Sequence, residues 1–167
     1  MKRTTRYLVA ALIIVACLAA DRGTKSAAAA LRGEPPVRYL GGTVTLLYAE
    51  NSGALLSFGT SLSEKSRFWL LTVGVGILIA GLLIYLFYNK NIPPSLVVAL
   101  ALMAGGGVSN LYDRIMNEGR VVDFLLLGVG VLRTGVFNIA DVAITGGVVL
   151  FFFSALGRKK TLRQETP

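Results

Sequence analysis

The sequence contains no histidine and a single cysteine, Cys17. The absence of histidine excludes Ser-His-Asp and Cys-His nucleophile systems, HExxH zinc sites and every other imidazole-based metal site. One cysteine permits neither a disulfide bond nor a thiolate cluster within the chain. Any catalytic chemistry must therefore use carboxylates, hydroxyls, amides, lysines or arginines.

Charged residues are also scarce. They make up 16% of the 167 residues, whereas 54% of the residues are hydrophobic. A water-soluble domain of this composition would lack the polar surface needed to cover its core, so the composition predicts a membrane protein.

The net charge of +8 does not indicate nucleic-acid binding, because no stretch interleaves basic residues with aromatics on a polar surface. Basic residues instead flank the first and last apolar runs, where they would be retained by an anionic cytoplasmic leaflet. These residues are Lys2, Arg3 and Arg6 at one end and Arg158, Lys159, Lys160 and Arg163 at the other.

Four apolar segments organise the chain into one membrane domain over residues 1–167. Their lengths suit helices that cross the hydrocarbon of a bilayer, which takes about 20 residues. The predicted spans are about 7–31, 68–88, 95–112 and 136–156. Four spans place both termini on one side, and the basic tails indicate that this side is the cytoplasm.

The loop after the first span predicts a small β-sheet outside the membrane, over about residues 37–58. Two β-prone runs, Val37–Leu40 and Thr43–Tyr48, flank the turn formed by Gly41 and Gly42. A third such run, Val121–Leu126, precedes the last span and could join the same sheet. The fold class is therefore an all-α membrane protein with four transmembrane helices and a small extracytoplasmic sheet. Ser61–Glu64 has capping-box spacing and should start the second helix.

Polar residues inside apolar segments are candidates for function. Asp141 falls about one and a half turns into the fourth span, and Asn138 lies three residues earlier. A carboxylate at that depth costs roughly 2.5–3.5 kcal/mol on insertion scales. Asp123 lies in the strand-like run just before this span, so the chain can fold back and bring the two carboxylates together. Such a pair can share a proton and activate water for hydrolysis.

Other interpretations of the same residues stay open at this point. An intramembrane aspartate can serve helix packing or an ion pathway, which would make the chain a small transporter or channel component. Asp113 and Arg114 could form an interfacial ion pair. The run that ends at Cys17 resembles a lipobox, so the chain could itself be a lipoprotein precursor.

Five motifs in chain order resemble those of one family, the lipoprotein signal peptidases, also called signal peptidase II. The resemblance runs from Asp21 to Asp141. The motifs are Asp21-Arg22-Gly23-Thr24-Lys25, Asn51-Ser52-Gly53-Ala54-Leu55-Leu56-Ser57-Phe58, Gly105 through Arg114, Val121-Val122-Asp123-Phe124, and Phe137-Asn138-Ile139-Ala140-Asp141. Arg22, Leu55, Leu56 and Ser109 depart from the residues common in the family.

The resemblance implies a bacterial membrane aspartyl protease with Asp123 and Asp141 as its catalytic dyad. By the same resemblance, seven further residues bind substrate or support the site, two of them near its outer rim. Those that line or support the site are Asn51, Gly53, Asn110, Arg114 and Asn138, and those near the rim are Asp21 and Lys25.

The implied substrates are diacylglyceryl-modified prolipoproteins, cut just before the lipid-bearing cysteine. The expected enzyme needs no cofactor and no metal, binds membrane lipid and no nucleic acid, and works as a monomer. Its expected location is the bacterial cytoplasmic (inner) membrane, with the active site toward the outer face.

Overall fold

The computed structural model describes residues 1–53, 61–89 and 91–164, and for residues 157–164 it describes only the helical backbone. Within these residues, four helices are long and apolar enough to cross a membrane. They are α1 (Arg3–Ala28), α2 (Glu64–Tyr88), α3 (Pro94–Met116) and α4 (Ile139–Gln164). The predicted fold class, four membrane helices with a small sheet, is confirmed.

Helix α2 begins at a serine cap, although the capping residue is Ser63 and not Ser61. The Ser63 side chain accepts a hydrogen bond from the backbone N–H of Ser66 at 3.2 Å, which satisfies one of the free donors of the first turn. The helix then contains a π-helical stretch, Phe68–Gly74. The helix ends at Tyr88, and the next helix, α3, begins at Pro94.

Helix α3 is the central helix of the bundle. About 56% of its most apolar 18-residue window is buried, compared with 11–17% in the other three helices. Glycines allow its neighbours to approach closely: a Cβ atom at Gly106 would lie 2.4 Å from the carbonyl oxygen of Ala140, and one at Gly105 would lie 2.8 Å from the Cβ of Cys17. Cys17 is thus a packing residue between α1 and α3.

The two ends of the bundle differ in polarity. At the end of the bundle where α2 ends and α3 begins, apolar side chains such as Leu86, Val97 and Leu100 form the buried core. Arg6 is buried at this end and donates hydrogen bonds to the backbone carbonyls of Phe87 and Asn89. The opposite end, which we call the sheet end, carries the sheet and most of the buried polar groups.

Four antiparallel strands form the sheet in the order β1-β2-β3-β4. They are β1 (Val37–Tyr39), β2 (Val44–Asn51), β3 (Val121–Val129) and β4 (Leu132–Arg133). The first three match the predicted runs, while β4 was not predicted. The turn between β1 and β2 requires glycine, since Gly41 and Gly42 have φ angles of +66° and +91°.

A β-bulge in β2 changes which of its side chains share a face with β3. Leu46 pairs with Leu125, but after the bulge Ala49 pairs with Asp123 and Asn51 with Val121. Directly opposed residues point to the same face of a sheet, and so do residues two apart. The bulge therefore places Asn51 on the face of Asp123, where an unbroken register would have turned it away.

Candidate active site

Asp141 lies in the first turn of α4, closer to the helix start than the sequence suggested, because α4 begins at Ile139. Asn138 caps this helix: its side-chain oxygen accepts from the backbone N–H of Asp141 at 2.9 Å. In return, an oxygen of Asp141 accepts from the backbone N–H of Asn138 at 3.2 Å. This reciprocal capping box fixes the Asp141 carboxylate at the positive end of the helix dipole.

Asp123 projects from β3 toward the same place and is only 2% exposed. Its two carboxylate oxygens accept from two different amides, Asn138 Nδ2 at 2.7 Å and Asn51 Nδ2 at 2.9 Å. Asn51 is itself oriented by the backbone N–H of Gly53, which donates to its side-chain oxygen at 2.9 Å. These bonds hold the carboxylate of Asp123 in one orientation.

Phe137 explains why the two aspartates meet. It forms a β-bridge with Leu125, exchanging backbone hydrogen bonds of 2.8 and 2.9 Å. The residue after it, Asn138, is therefore held beside β3 at the point where α4 starts. The chain folds back as the sequence suggested, and Asp123 and Asp141 share Asn138 as a common hydrogen-bond partner.

Asn110 of α3 links the site to the central helix. Its Nδ2 donates to Asp141 at 2.9 Å, and its oxygen accepts from Asn138 at 3.1 Å. Asn110 and Asn138 are buried, so these amides have no competing water and their orientation is determined by the network. One continuous chain of side chains thus connects both aspartates.

Burial raises the pKa of Asp123 to about 6, from an ordinary value of 3.8. The hydrogen bond from Asn51 opposes this shift, the negative charge of Asp141 adds to it, and the hydrogen bond from Asn138 and the charge of Lys25 lower the pKa again. Asp123 is therefore a carboxyl group that can hold a proton near neutral pH.

Asp21 and Lys25, which the resemblance placed near the outer rim of the site, are buried, with exposed fractions of 0% and 4%. Their i,i+4 ion pair has an N···O distance of 2.7 Å. Lys25 also donates to the side-chain oxygen of Asn110 at 3.0 Å. The pair is thus in direct contact with Asn110, the residue that donates to Asp141.

Asp113 and Arg114 were considered from the sequence as an ion pair with each other. In the structure each of them contacts other residues. Asp113 pairs with Arg22 at 2.5 Å and with Lys25 at 2.8 Å. Arg114, only 8% exposed, donates to the backbone carbonyl of Gly53 at 3.0 Å. Arg114 thereby holds the segment that follows Asn51.

Three residues that contact Asp21 or Lys25 were not predicted as site residues: Asp113, Arg22 and Ser109. Ser109 donates to Asp21 at 2.6 Å and is fully buried. The burial of charge within a membrane segment is the signal that could have selected Asp113, as it selected Asp141.

Of the second motif, residues 54–58 lie outside the described residues, so Leu55 and Leu56 cannot be placed relative to the site.

An apolar cavity of about 430 Å³ opens beside Asp141. Its lining includes Val136, Phe137 and Val142 together with small residues of the sheet end and α4, namely Thr134, Gly135, Thr145 and Gly146. An extended apolar chain could therefore lie next to the carboxylate without burying a polar group.

Two aspartates joined through shared amides lie at one end of a bundle of four membrane-length helices. A pair of carboxylates is the arrangement that aspartyl proteases use. The signal peptidase II model matches residues 13–157. The chain is 36% identical over 145 residues to a lipoprotein signal peptidase of Caldicellulosiruptor bescii, covering 87% of this chain and 89% of the relative. It is also 36% identical over 151 residues to a lipoprotein signal peptidase of Chlorobium phaeobacteroides, covering 84% and 89%.

The chain belongs to the signal peptidase II family and is a multi-pass membrane protease that processes prolipoproteins. A solved structure described as a bacterial membrane enzyme has the same fold, with a TM-score of 0.76 at 24% identity over 95% of this chain and 93% of that chain. The transporter and lipoprotein-precursor interpretations are not favoured.

Proposed function

We propose that Asp123 and Asp141 are the catalytic dyad of this protease and that its substrates are diacylglyceryl-modified prolipoproteins, cut before the lipidated cysteine. The observation that carries the assignment is the shared amide network. Asn138 is hydrogen-bonded to both aspartates, and Asn110 connects Asp141 to Asn138. Two carboxylates held in fixed orientations in a largely buried site suit general acid–base hydrolysis.

The two aspartates take different parts in the reaction. In the proposed scheme Asp123 holds the proton, and burial raises its pKa to about 6. Asp141 is the carboxylate that takes a proton from water, and the N-terminus of α4 stabilises its negative charge. The resulting hydroxide attacks the scissile carbonyl carbon while Asp123 donates a hydrogen bond to the carbonyl oxygen. When the tetrahedral intermediate collapses, the C–N bond breaks and the leaving amine takes a proton from the dyad.

The apolar cavity beside Asp141 supports a lipid-bearing substrate. Acyl chains can stay in apolar surroundings while the peptide lies across the sheet end, and this remote binding energy positions the scissile bond. No cofactor or metal takes part in this scheme. All the residues of the scheme come from one chain, so the proposed working form is a monomer.

The proposed orientation places both termini in the cytoplasm and the sheet end at the outer face. The basic residues Lys2, Arg3 and Arg6 support it, because they lie at the end of the bundle opposite the sheet. Protease protection of tags at the two termini in sealed inverted vesicles tests this orientation: cytoplasmic termini are digested from outside such vesicles.

A gel-shift assay tests the proposed substrate. A purified prolipoprotein with its diacylglyceryl group should be shortened far faster than the same protein without the lipid, at equal concentration in the same detergent. Equal rates would show that the enzyme recognises the peptide alone and not the lipid. A substrate whose cysteine is replaced by serine, and which therefore never receives the lipid, is the matched control.

A further inference from the structure

Two buried carboxylates outside the dyad each accept a hydrogen bond from the residue that directly precedes a dyad aspartate. Asp21 accepts from the backbone N–H of Ala140 at 2.9 Å, one residue before Asp141. Asp113 accepts from the backbone N–H of Val122 at 3.1 Å, one residue before Asp123. Asp21 and Asp113 are 0% and 1% exposed. Each main-chain segment that carries a dyad aspartate is therefore held by its own carboxylate.

Lys25 lies between these two carboxylates. Its ammonium group is 2.7 Å from Asp21, 2.8 Å from Asp113 and 3.0 Å from the side-chain oxygen of Asn110. An ammonium group has three N–H donors, so each donor has one acceptor here. The third acceptor, Asn110, is also the residue that donates to Asp141.

We propose that Asp21, Lys25 and Asp113, which we call the anchor triad, position the dyad: the two carboxylates hold the backbone at Ala140 and Val122, and Lys25 joins them and orients Asn110. The proposal rests on the assignment of Asp123 and Asp141 as the dyad. None of the three touches the reacting atoms in this scheme, so they are positioning residues.

The elements that contribute the triad explain why it is effective. Asp21 and Lys25 belong to α1 and Asp113 to α3, whereas the segments that they hold belong to α4 and β3. Four elements are thereby brought to one point by buried, charge-assisted hydrogen bonds. Since a displacement of about 1 Å at a reacting group can cost about 10²-fold in rate, small losses in this anchoring should lower kcat.

The charge of the triad also acts on the dyad. The groups that face Asp123 from the surrounding elements are Lys25 from α1, Arg114 from α3, Asn51 from β2, Asn138 ahead of α4, and Asp141 within α4. Lys25 stabilises the ionised form of Asp123, while Asp21 and Asp113 partly neutralise the ammonium. Removal of Lys25 and removal of Asp113 should therefore shift the pH profile in opposite directions.

The first test compares Asp113→Asn with Asp113→Leu by steady-state kinetics on a diacylglyceryl prolipoprotein. Asn keeps an acceptor for the N–H of Val122, and Leu does not. We expect Asp113→Leu to lower kcat by about 10²-fold with little change in KM, and Asp113→Asn to lower kcat less. Equal kcat losses in the two variants, or a loss confined to KM, would overturn the proposal.

The second test measures the pH dependence of kcat/KM for Lys25→Met and Asp113→Asn. Its outcome does not depend on whether Asp113→Leu folds. Lys25→Met should move the alkaline limb to higher pH, because loss of the positive charge favours the protonated form of Asp123. Asp113→Asn should move the same limb to lower pH. Limbs that stay at the wild-type position in both variants would overturn the proposal.

Arg6→Gln is the matched control. Arg6 is also buried and charged and also holds backbone carbonyls, but at the opposite end of the bundle. We expect it to lower the melting temperature and to leave the pH profile unchanged. A failure of the dyad assignment would be seen separately, as normal turnover by Asp123→Asn, whatever the triad variants do.

Discussion

Asn138 and Asp141 cap each other at the start of α4 through two hydrogen bonds, of 2.9 and 3.2 Å. The free amide hydrogens of Asn138 point the other way, to Asp123 at 2.7 Å and to Asn110 at 3.1 Å. One residue therefore starts the helix, orients one aspartate and connects it to the other. In this enzyme the two residues that cap α4 are therefore also part of the proposed catalytic centre.

The dyad assignment predicts that Asp123→Asn and Asp141→Asn each reduce cleavage by roughly 10²–10⁴-fold or more, the usual contribution of a positioned acid or base. Each variant removes one partner of a proton-sharing pair but keeps the shape of the side chain. The measurement is single-turnover cleavage of a lipidated substrate, with thermal melting in detergent to show that both variants fold. Near wild-type turnover by either variant would contradict the assignment.

The raised pKa of Asp123 predicts the alkaline side of the pH profile. As pH rises through about 6, Asp123 loses its proton and can no longer donate to the scissile carbonyl, so kcat/KM should decrease. The apparent pKa of this limb belongs to the coupled pair. Activity should also decrease at acidic pH, when the second carboxylate gains a proton. A profile flat from pH 5 to pH 9 would argue against a carboxylate pair.

The same shift predicts how stability depends on pH. The folded protein binds the Asp123 proton more tightly than an unfolded chain, whose pKa is near 3.8. The stabilisation is therefore fully present below that value and is lost as pH rises through about 6. Thermal melting of the wild type and Asp123→Asn between pH 4 and pH 7 measures it: the variant should lose less stability than the wild type over this interval.

Asn51→Ala should move the alkaline limb to higher pH. The hydrogen bond from Asn51 stabilises the ionised form of Asp123, so its loss raises the pKa of that carboxyl further. Arg32→Gln is a suitable control, because it breaks an exposed ion pair with Glu50, the neighbour of Asn51, and leaves the amide in place. An Asn51→Ala profile identical to that of the control would show that this bond does not tune the site.

Helix packing gives a prediction that is independent of the chemistry. A Cβ atom at Gly147 of α4 would lie 2.7 Å from the backbone oxygen of Ala99 in α3, whereas one at Gly146 would meet no atom within 4 Å. Gly147→Ala must push the two helices apart and should cost about 1–3 kcal/mol, the usual cost of overpacking. Gly146→Ala should leave stability equal or slightly higher, since alanine favours the helix. Melting temperatures of the two variants in one detergent provide the comparison.

Several features of the site could be predicted from the sequence, because they depend only on the residues nearby in the chain and on whether these lie in water or in hydrocarbon. Asp141 and Asp21 interrupt apolar segments, and such interruptions are costly enough to indicate a function. The two strand-like runs around Gly41 and Gly42, and the run that contains Asp123, were likewise recognisable from local side-chain pattern and turn residues.

Other features of the site could not be predicted from short stretches of the sequence. The pairing of Asp113 with Lys25 and Arg22 joins residues about 90 positions apart, and its neighbour Arg114 was an equally reasonable partner. The start of α4 at Ile139 depends on the cap at Asn138 and on the bridge between Phe137 and Leu125, which forms only when β3 is present. Local propensity contains no information about such contacts.

The sequence by itself determined the four membrane helices and the three principal strands and indicated the two candidate aspartates, because hydrophobic length, strand pattern, turn residues and the cost of a charge in hydrocarbon are local properties. Only the tertiary structure decided which groups hold those aspartates. The β2 bulge turns Asn51 toward Asp123, and the close contact at Gly106 brings α3 and its Asn110 against α4. Orientation in a buried site is set by contacts between distant segments, and such contacts exist only in the folded chain.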